Sequence, residues 1–279
     1  MTIKPLIKWV GGKTQILDVV LQKFPKEMDN YREIFLGGGS VLFGLLDARN
    51  KGDIVVNGVV YAYDINETLV HFYKNVQDNW EDLYDETVKL SANTDETTYY
   101  EIRKRFNELS DEEKKTPVGS AMFLFLNKTC FRGLYRESKN GFNVPYGNYK
   151  NPEIVNRDHL ETVSQLIQDV VFECCDFSVS LTTIEPDDFI YLDPPYYPET
   201  ATSFVSYNKS GFTIEKHKEL FDILCATKNK FVMSNSDVPF LREKFPQTRY
   251  TLESILCKRS INAKNPEKKT RELLLRPHV

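Results

Sequence analysis

The chain has 279 residues, 41% of them hydrophobic and 27% charged, with a net charge of −4. This suits one large globular core with a smaller lobe and excludes a disordered chain or a uniformly basic nucleic-acid binder. No run of about 18 apolar residues occurs, residues 1–6 carry no apolar leader pattern, and the five cysteines and four histidines show no disulfide or zinc spacing. The expectation is a cytoplasmic, intracellular protein with reduced thiols, no membrane segment and no metal.

In chain order, Lys8-Trp9-Val10-Gly11-Gly12-Lys13 precedes a helical spacing at Ile16, Leu17, Val20 and Leu21, which predicts a helix over 14–24 ended by Pro25. Gly-Gly-Lys-Thr is no phosphate loop, because Ile7 stands where that pattern needs glycine. A strand over 31–35 runs into Leu36-Gly37-Gly38-Gly39-Ser40 and a helix over 41–46, the arrangement by which α/β sheets bring backbone close to a ligand. Leu42 replaces the third glycine of a dinucleotide fingerprint, which speaks against an oxidoreductase. After an expected inserted loop over 49–58, a second strand over 59–63 ends in Asp64-Ile65-Asn66. An acid there is where Rossmann-like folds hold ribose hydroxyls. A helix through Leu69, Val70, Phe72 and Val76 follows.

The stretch 80–125 is helical and acidic, with twelve acids against four bases over 78–113, and Pro117 opens the last helix, 118–126. The texture then changes. Residues 127–149 are rich in glycine, asparagine, aromatics and bases, and Asn140-Gly141 signals a hairpin. This marks 77–154 as an inserted lobe within a catalytic domain formed by 1–76 and 155–279. The sheet resumes over 170–173, ending near Asp176-Phe177, and again over 189–192, followed by a loop over 197–211. A helix over 214–226 is capped by Thr213, a strand over 230–233 leads into Ser234-Asn235-Ser236, and an antiparallel pair, 249–257 and 271–276, encloses the basic loop 258–270. The predicted fold is α/β, a Rossmann-like sheet with helices on both faces and an inserted, mostly helical lobe carrying a β-hairpin.

Phe189-Ile190-Tyr191-Leu192 reads as a buried parallel strand that delivers Asp193-Pro194-Pro195-Tyr196 at its carboxyl end. Proline fixes φ, and the residue before proline is held extended, so Asp193 and Pro194 are stiff. The prolines lack N–H donors, and the loop is rich in acceptors beside the flat ring of Tyr196. That combination suits a planar ligand carrying an amine.

Lys8-Trp9-x-Gly11-Gly12-Lys13, Phe35-x-Gly37-x-Gly39-Ser40, Asp64-Ile65-Asn66, Phe131-x-Gly133-Leu134-Tyr135-Arg136, Phe142-Asn143-Val144-Pro145-Tyr146-Gly147 and Asp193-Pro194-Pro195-Tyr196 occur in this order. Together they resemble the Dam-type (alpha-group) site-specific DNA adenine N6-methyltransferases, over nearly the whole chain. The resemblance implies that S-adenosyl-L-methionine is the cofactor and double-stranded DNA the partner, with GATC or a related site as target. Trp9, Lys13, Phe35, Gly37 and Gly39 would line the cofactor pocket. Asp64 would take the ribose, Asp176 and Phe177 the cofactor's adenine, and Asp193 would border cofactor and target base. Pro194, Pro195 and Tyr196 complete the catalytic loop; Lys8, Arg132, Leu134, Arg136, Pro145, Tyr146, Arg259 and Arg271 would meet DNA.

Two departures bear on the target: Arg132 stands where relatives usually carry asparagine, and Asn148 where many carry arginine. A monomer in solution is expected, with pairing on DNA left open. The rival readings are a methyltransferase of the same fold acting on RNA or protein glutamine, and an inactive DNA-binding protein. The first has no need of the basic, aromatic 127–149 loop; the second has none for an intact Asp193 and Lys13.

Overall fold

The computed structural model describes residues 3–198, 212–258 and 269–278. The chain divides into two compact units: 1–14, 37–51 and 66–174 form the first, and 15–36, 52–65 and 175–279 the second. Residues 77–154 lie wholly inside the first.

The second unit carries six strands of a mainly parallel sheet, in the order Tyr250–Lys258, Lys269–Pro277, Phe231–Ser236, Phe189–Leu192, Tyr31–Glu33, Val60–Asp64. The last four run parallel, and the terminal pair is antiparallel, with Leu273 opposite Asn235 and Glu272 opposite Ser236. From Tyr31–Glu33 the chain moves to Val60–Asp64 on one side, and later to Phe189–Leu192 and Phe231–Ser236 on the other. The order therefore reverses between Tyr31–Glu33 and Phe189–Leu192. In open α/β sheets, ligands bind outside the carboxyl ends of the strands at such a reversal.

The apolar run at 189–192 is buried at every position, as a strand covered on both faces requires. Its core includes Ile34, Ile190, Leu192, Phe231, Met233, Leu273 and Leu275. The Ile214–Ala226 helix, begun by the Thr213 hydroxyl accepting from Lys216 N–H, adds Leu220, Phe221 and Leu224. At the opposite end of the strands Arg32 and Asp188 are both buried and ion-paired. Arg32 also donates to the Tyr63 hydroxyl (2.7 Å), and Asp188 accepts from Asn30 Nδ2 (2.7 Å) and Glu185 N–H (3.0 Å).

The helix expected over 14–24 is confined to Leu17–Leu21, because its N-cap, Ile16, offers no side-chain acceptor. The stretch expected as a loop over 49–58 contains a short strand, Val55–Val56, paired in parallel with Glu27–Met28. Periods of two residues are too short to read from a pattern.

The first unit is mostly helical: Ser40–Asn50, Glu67–Asp78, Trp80–Leu90, Glu96–Glu108, Asp111–Lys114, Pro117–Thr129 and Arg157–Leu166, with the strand Val170–Cys174. Its starts carry the chemistry that helix termini need: Asn66, Asp95, Thr116 and Asn156 accept first-turn N–H groups, and Ser110 and Glu113 form a reciprocal box. Pro117–Thr129 is buried from Gly119 through Asn127, with Phe123 edge-on to Phe72. The Asn-Gly signal is a hairpin, Glu137–Ser138 against Gly141–Phe142. Before it, Arg132 sits at φ 58°, and Asn148 after it at φ 53°. The left-handed region suits asparagine and strains a longer side chain. No helix among the described residues is long and apolar enough to cross a membrane.

Asp188→Ala leaves the Arg32 guanidinium buried without its counterion and is expected to cost about 3–5 kcal/mol in urea unfolding. Arg132→Asn relieves a left-handed strain of about 1 kcal/mol and should raise the melting temperature by roughly 2–4 °C. An unchanged or lower melting temperature would refute that account of Arg132.

Candidate active site

In the second unit, Asp193 leaves the Phe189–Leu192 strand at the reversal point, followed by buried Pro194 and exposed Pro195. The Asp193 carboxylate lies close enough to the Tyr191 and Tyr196 phenols to act on both. Burial, reinforced by this charge, pushes both phenols well above their ordinary range. Both stay protonated. Tyr191 shares a hydrogen bond with Ser234 Oγ (3.2 Å), and Tyr196 donates to Glu272 on the terminal strand. Tyr197 N–H donates to Asn235 Oδ1 (2.8 Å), and the Ser236 hydroxyl donates to Tyr197 C=O (2.6 Å). Register places Glu33, Tyr191 and Ser234 on one face of the sheet, toward its carboxyl end, with Glu272 opposite Ser236. Glu33, itself buried, accepts from the Tyr31 hydroxyl (2.7 Å). The stiff acceptor loop therefore sits on a lane of carboxylates and phenols.

Asp64 closes the Val60–Asp64 strand, and its C=O accepts from Cys175 N–H (3.2 Å), which draws Asp176 and Phe177 alongside. Asp176 begins a short helical turn, accepting from Ser178 N–H (3.0 Å), and receives Lys216 Nζ (2.6 Å). Partial burial would raise its carboxyl, but the bonds from Lys216 and Ser178 prevail and hold it below the usual range. Phe35, Phe177 and Phe212 form a ring cluster at 5.6–6.0 Å, and Ile65 beside Asp64 is 67% exposed. An acid beside an exposed aliphatic side chain, with a cluster of tilted and edge-on rings in the same unit, fits a nucleoside.

In the first unit, Gly37 and Gly39 adopt φ of 50° and 72°; the space beside Gly37 and Gly38 is filled by Trp9, and that beside Gly39 by Tyr73 and Phe43. A Cβ on Gly37 would lie 2.9 Å from the Trp9 ring, and one on Gly38 3.0 Å from Trp9 Cβ. Trp9 also stacks on Tyr135 at 5.6 Å. Lys13 is buried, its N–H bonded to Ser40 Oγ (3.0 Å) and its Nζ to Gly11 C=O (2.6 Å).

The residues expected to meet DNA fall in two places. Asn127 clasps the Lys8 backbone, accepting its N–H (2.9 Å) and donating to its C=O (2.8 Å), while Lys8 Nζ lies 3.9 Å over the Tyr149 ring. Gly133 is obligatory, for a Cβ there would be 2.3 Å from the Lys8 side chain. Arg132 and Arg136 are exposed and Leu134 is half-buried; Arg136 Nε donates to Asn143 Oδ1 (2.6 Å). Pro145 is exposed, with its C=O accepting from Phe131 N–H, whereas Tyr146 reaches back to Thr94 C=O (2.7 Å) and packs on Tyr99, a bracing position. Arg271 is exposed opposite Leu256 in the terminal hairpin, and Arg259 lies outside the described residues.

Glu272, Asn235 and Ser236 were not singled out from sequence, although a polar triplet ending a buried strand beside the reversal point was visible. Among the described residues, no group of three or more His, Cys, Asp or Glu is placed to hold a metal ion.

The family model for D12 class N6 adenine-specific DNA methyltransferases matches residues 9–261. Type II methyltransferase M.MjaIII of Methanocaldococcus jannaschii is 37% identical over 96% of each chain. Type II methyltransferase M1.LlaDCHI of Lactococcus lactis subsp. cremoris is 31% identical over 95% of this chain and 92% of its own. A DNA adenine methylase of Haemophilus influenzae is 31% identical over 97% and 92%. With the acceptor loop at the sheet's reversal point and a match along nearly its whole length, the chain belongs to the D12 class of N6 adenine-specific DNA methyltransferases.

Proposed function

We infer that this chain methylates the exocyclic N6 amine of adenine in a short duplex DNA site, GATC or a related one. The observation that supports this best is the Asp193-Pro194-Pro195-Tyr196 loop at the carboxyl end of the central strand, at the reversal of strand order. S-adenosylmethionine supplies an electrophilic methyl on a sulfonium. The exposed Ile65, the Phe35–Phe177–Phe212 rings and Asp64 suit its nucleoside; Asp176 suits its adenine; Trp9, Lys13, Gly37 and Gly39 are assigned to its methionine part.

An adenine amine is a poor nucleophile because its lone pair is delocalised into the ring. The Asp193 carboxylate and the Pro194 carbonyl each accept one N–H, which draws the nitrogen toward tetrahedral geometry and localises the pair. A carbon–nitrogen bond forms as a carbon–sulfur bond breaks, and the nitrogen sheds a proton to water. Fixed acceptors and positioning supply the rate, since no reorganisation is needed at the moment of transfer. The base must leave the stack to reach this corner, at a cost of a few kcal/mol, and Tyr196 offers a face to stack on.

Within the proposed recognition region, 77–154, Leu134 fills the vacated place and Arg136, steadied by Asn143, reads guanine in the major groove. Lys8, Arg132 and Pro145 border the duplex, Tyr146 braces the loop from behind, and Arg259 and Arg271 neutralise phosphates. The protein acts as an intracellular monomer in this reading.

Asp193→Ala should reduce tritium transfer from S-adenosylmethionine to unmethylated plasmid at least a hundredfold with the melting temperature unchanged; activity within tenfold of wild type would sink the assignment. Arg136→Ala is expected to relax discrimination at one base position of the methylated site, read by methylation-aware sequencing. An equal weakening on all sequences would make Arg136 a phosphate contact.

A further inference from the structure

The phenol of Tyr196 is tied to a side chain that no motif includes. Glu272 lies on the Lys269–Pro277 strand, opposite Ser236, and accepts the Tyr196 hydroxyl. One residue further along the loop, Asn235 and Ser236 grip both backbone groups of Tyr197. Asn235 is fully buried; its Oδ1 accepts from Tyr197 N–H and Ser236 N–H (2.9 Å), which fixes the orientation of the amide. The Tyr197 ring is fixed in turn, stacked on Phe240 at 4.5 Å and 14°. The loop is thus anchored at its stacking tyrosine and immediately after it, by the Lys269–Pro277 and Phe231–Ser236 strands.

A tyrosine has two side-chain torsions. Backbone anchors hold its Cα, and the bond at the hydroxyl bears directly on the tilt of the ring. A base stacks well on a ring whose plane is set beforehand, and poorly on one that must be ordered at the same time. We propose that Glu272 is a positioning residue for methyl transfer, holding the Tyr196 ring in the plane on which the extruded base stacks, with Asn235 and Ser236 fixing the chain beside it. The inference rests on the adenine-methyltransferase reading. A carboxylate suits the task better than a neutral acceptor because a hydrogen bond to a charged group is the stronger kind, and burial of the phenol keeps its proton on oxygen to make that bond.

The test is a double-variant cycle with tritiated S-adenosylmethionine and unmethylated plasmid DNA, measuring kcat, KM for each substrate, and melting temperature. Glu272→Ala and Tyr196→Phe should each lower kcat about tenfold or more, with KM for S-adenosylmethionine within twofold of wild type. The double variant should fall no further than the worse single one, because both remove the same bond. Glu272→Gln, which retains an acceptor, should recover kcat to within about threefold of wild type. Tyr196→Phe keeps the ring and severs the bond from its other end, so it decides the matter even if Glu272→Ala does not fold. Unchanged kcat in Tyr196→Phe, losses that multiply in the double variant, or a lowered melting temperature with unchanged kcat would overturn the proposal. Failure of the wild-type chain to label adenine would instead overturn the function on which it rests.

Discussion

Everything at the candidate site depends on one buried strand. Phe189–Leu192 is hydrogen-bonded to a parallel neighbour on each side and covered on both faces, so its carboxyl end has no freedom of its own. Two prolines extend that rigidity outward, since neither they nor the preceding aspartate can relax into a helical turn. A carboxylate at that point is placed by the core rather than by its own contacts. Mutations deep in the sheet that shift this strand would therefore act on chemistry several residues away.

The glycine turn has a different cause from the one its motif suggests. Phosphate- and nucleotide-binding turns need glycine so that a ligand can approach the backbone. Here Gly37 and Gly38 are first required by Trp9, whose indole occupies the space a Cβ on Gly37 would take and whose own Cβ crowds one on Gly38. The Trp9 ring in turn stacks on Tyr135, in the basic and aromatic loop, while Asn127 and Gly133 close on Lys8. The amino-terminal motif and the 127–149 loop are thus parts of one packed body within the first unit.

How much of this was legible follows from the range of the interactions. The Phe189 strand, the Thr213-capped helix and the Asn-Gly hairpin are set by local pattern and were read with nearly the observed bounds. The two-residue strands Glu27–Met28 and Val55–Val56 carry no period and escaped notice. Asp193 announced itself because its neighbours constrain it. Glu272 did not: an acid in an alternating strand reads as a solvated face, and only its register opposite Ser236 brings it to Tyr196. Nor does local pattern reveal that Lys216 pairs with Asp176, 40 residues away.

The distribution of charge resolves what the net charge of −4 left puzzling. A sulfonium donor is a cation and duplex DNA a polyanion, so one protein must present both signs without letting them cancel. The acids Glu33, Asp193 and Glu272 belong to sheet strands or to the loop one of them delivers, where Tyr31 donates to Glu33, Tyr196 donates to Glu272 and Asp193 lies near the Tyr191 phenol. The bases Arg132, Arg136 and Arg271 stand on exposed loop and hairpin positions. Where bases cluster at exposed positions, the field an anion meets is local and screened within a Debye length of about 8–10 Å, whatever the net charge of the chain. A negative overall balance is then compatible with binding DNA, because the acids over 78–113 lie on the outer faces of helices while the bases crowd the loops that follow.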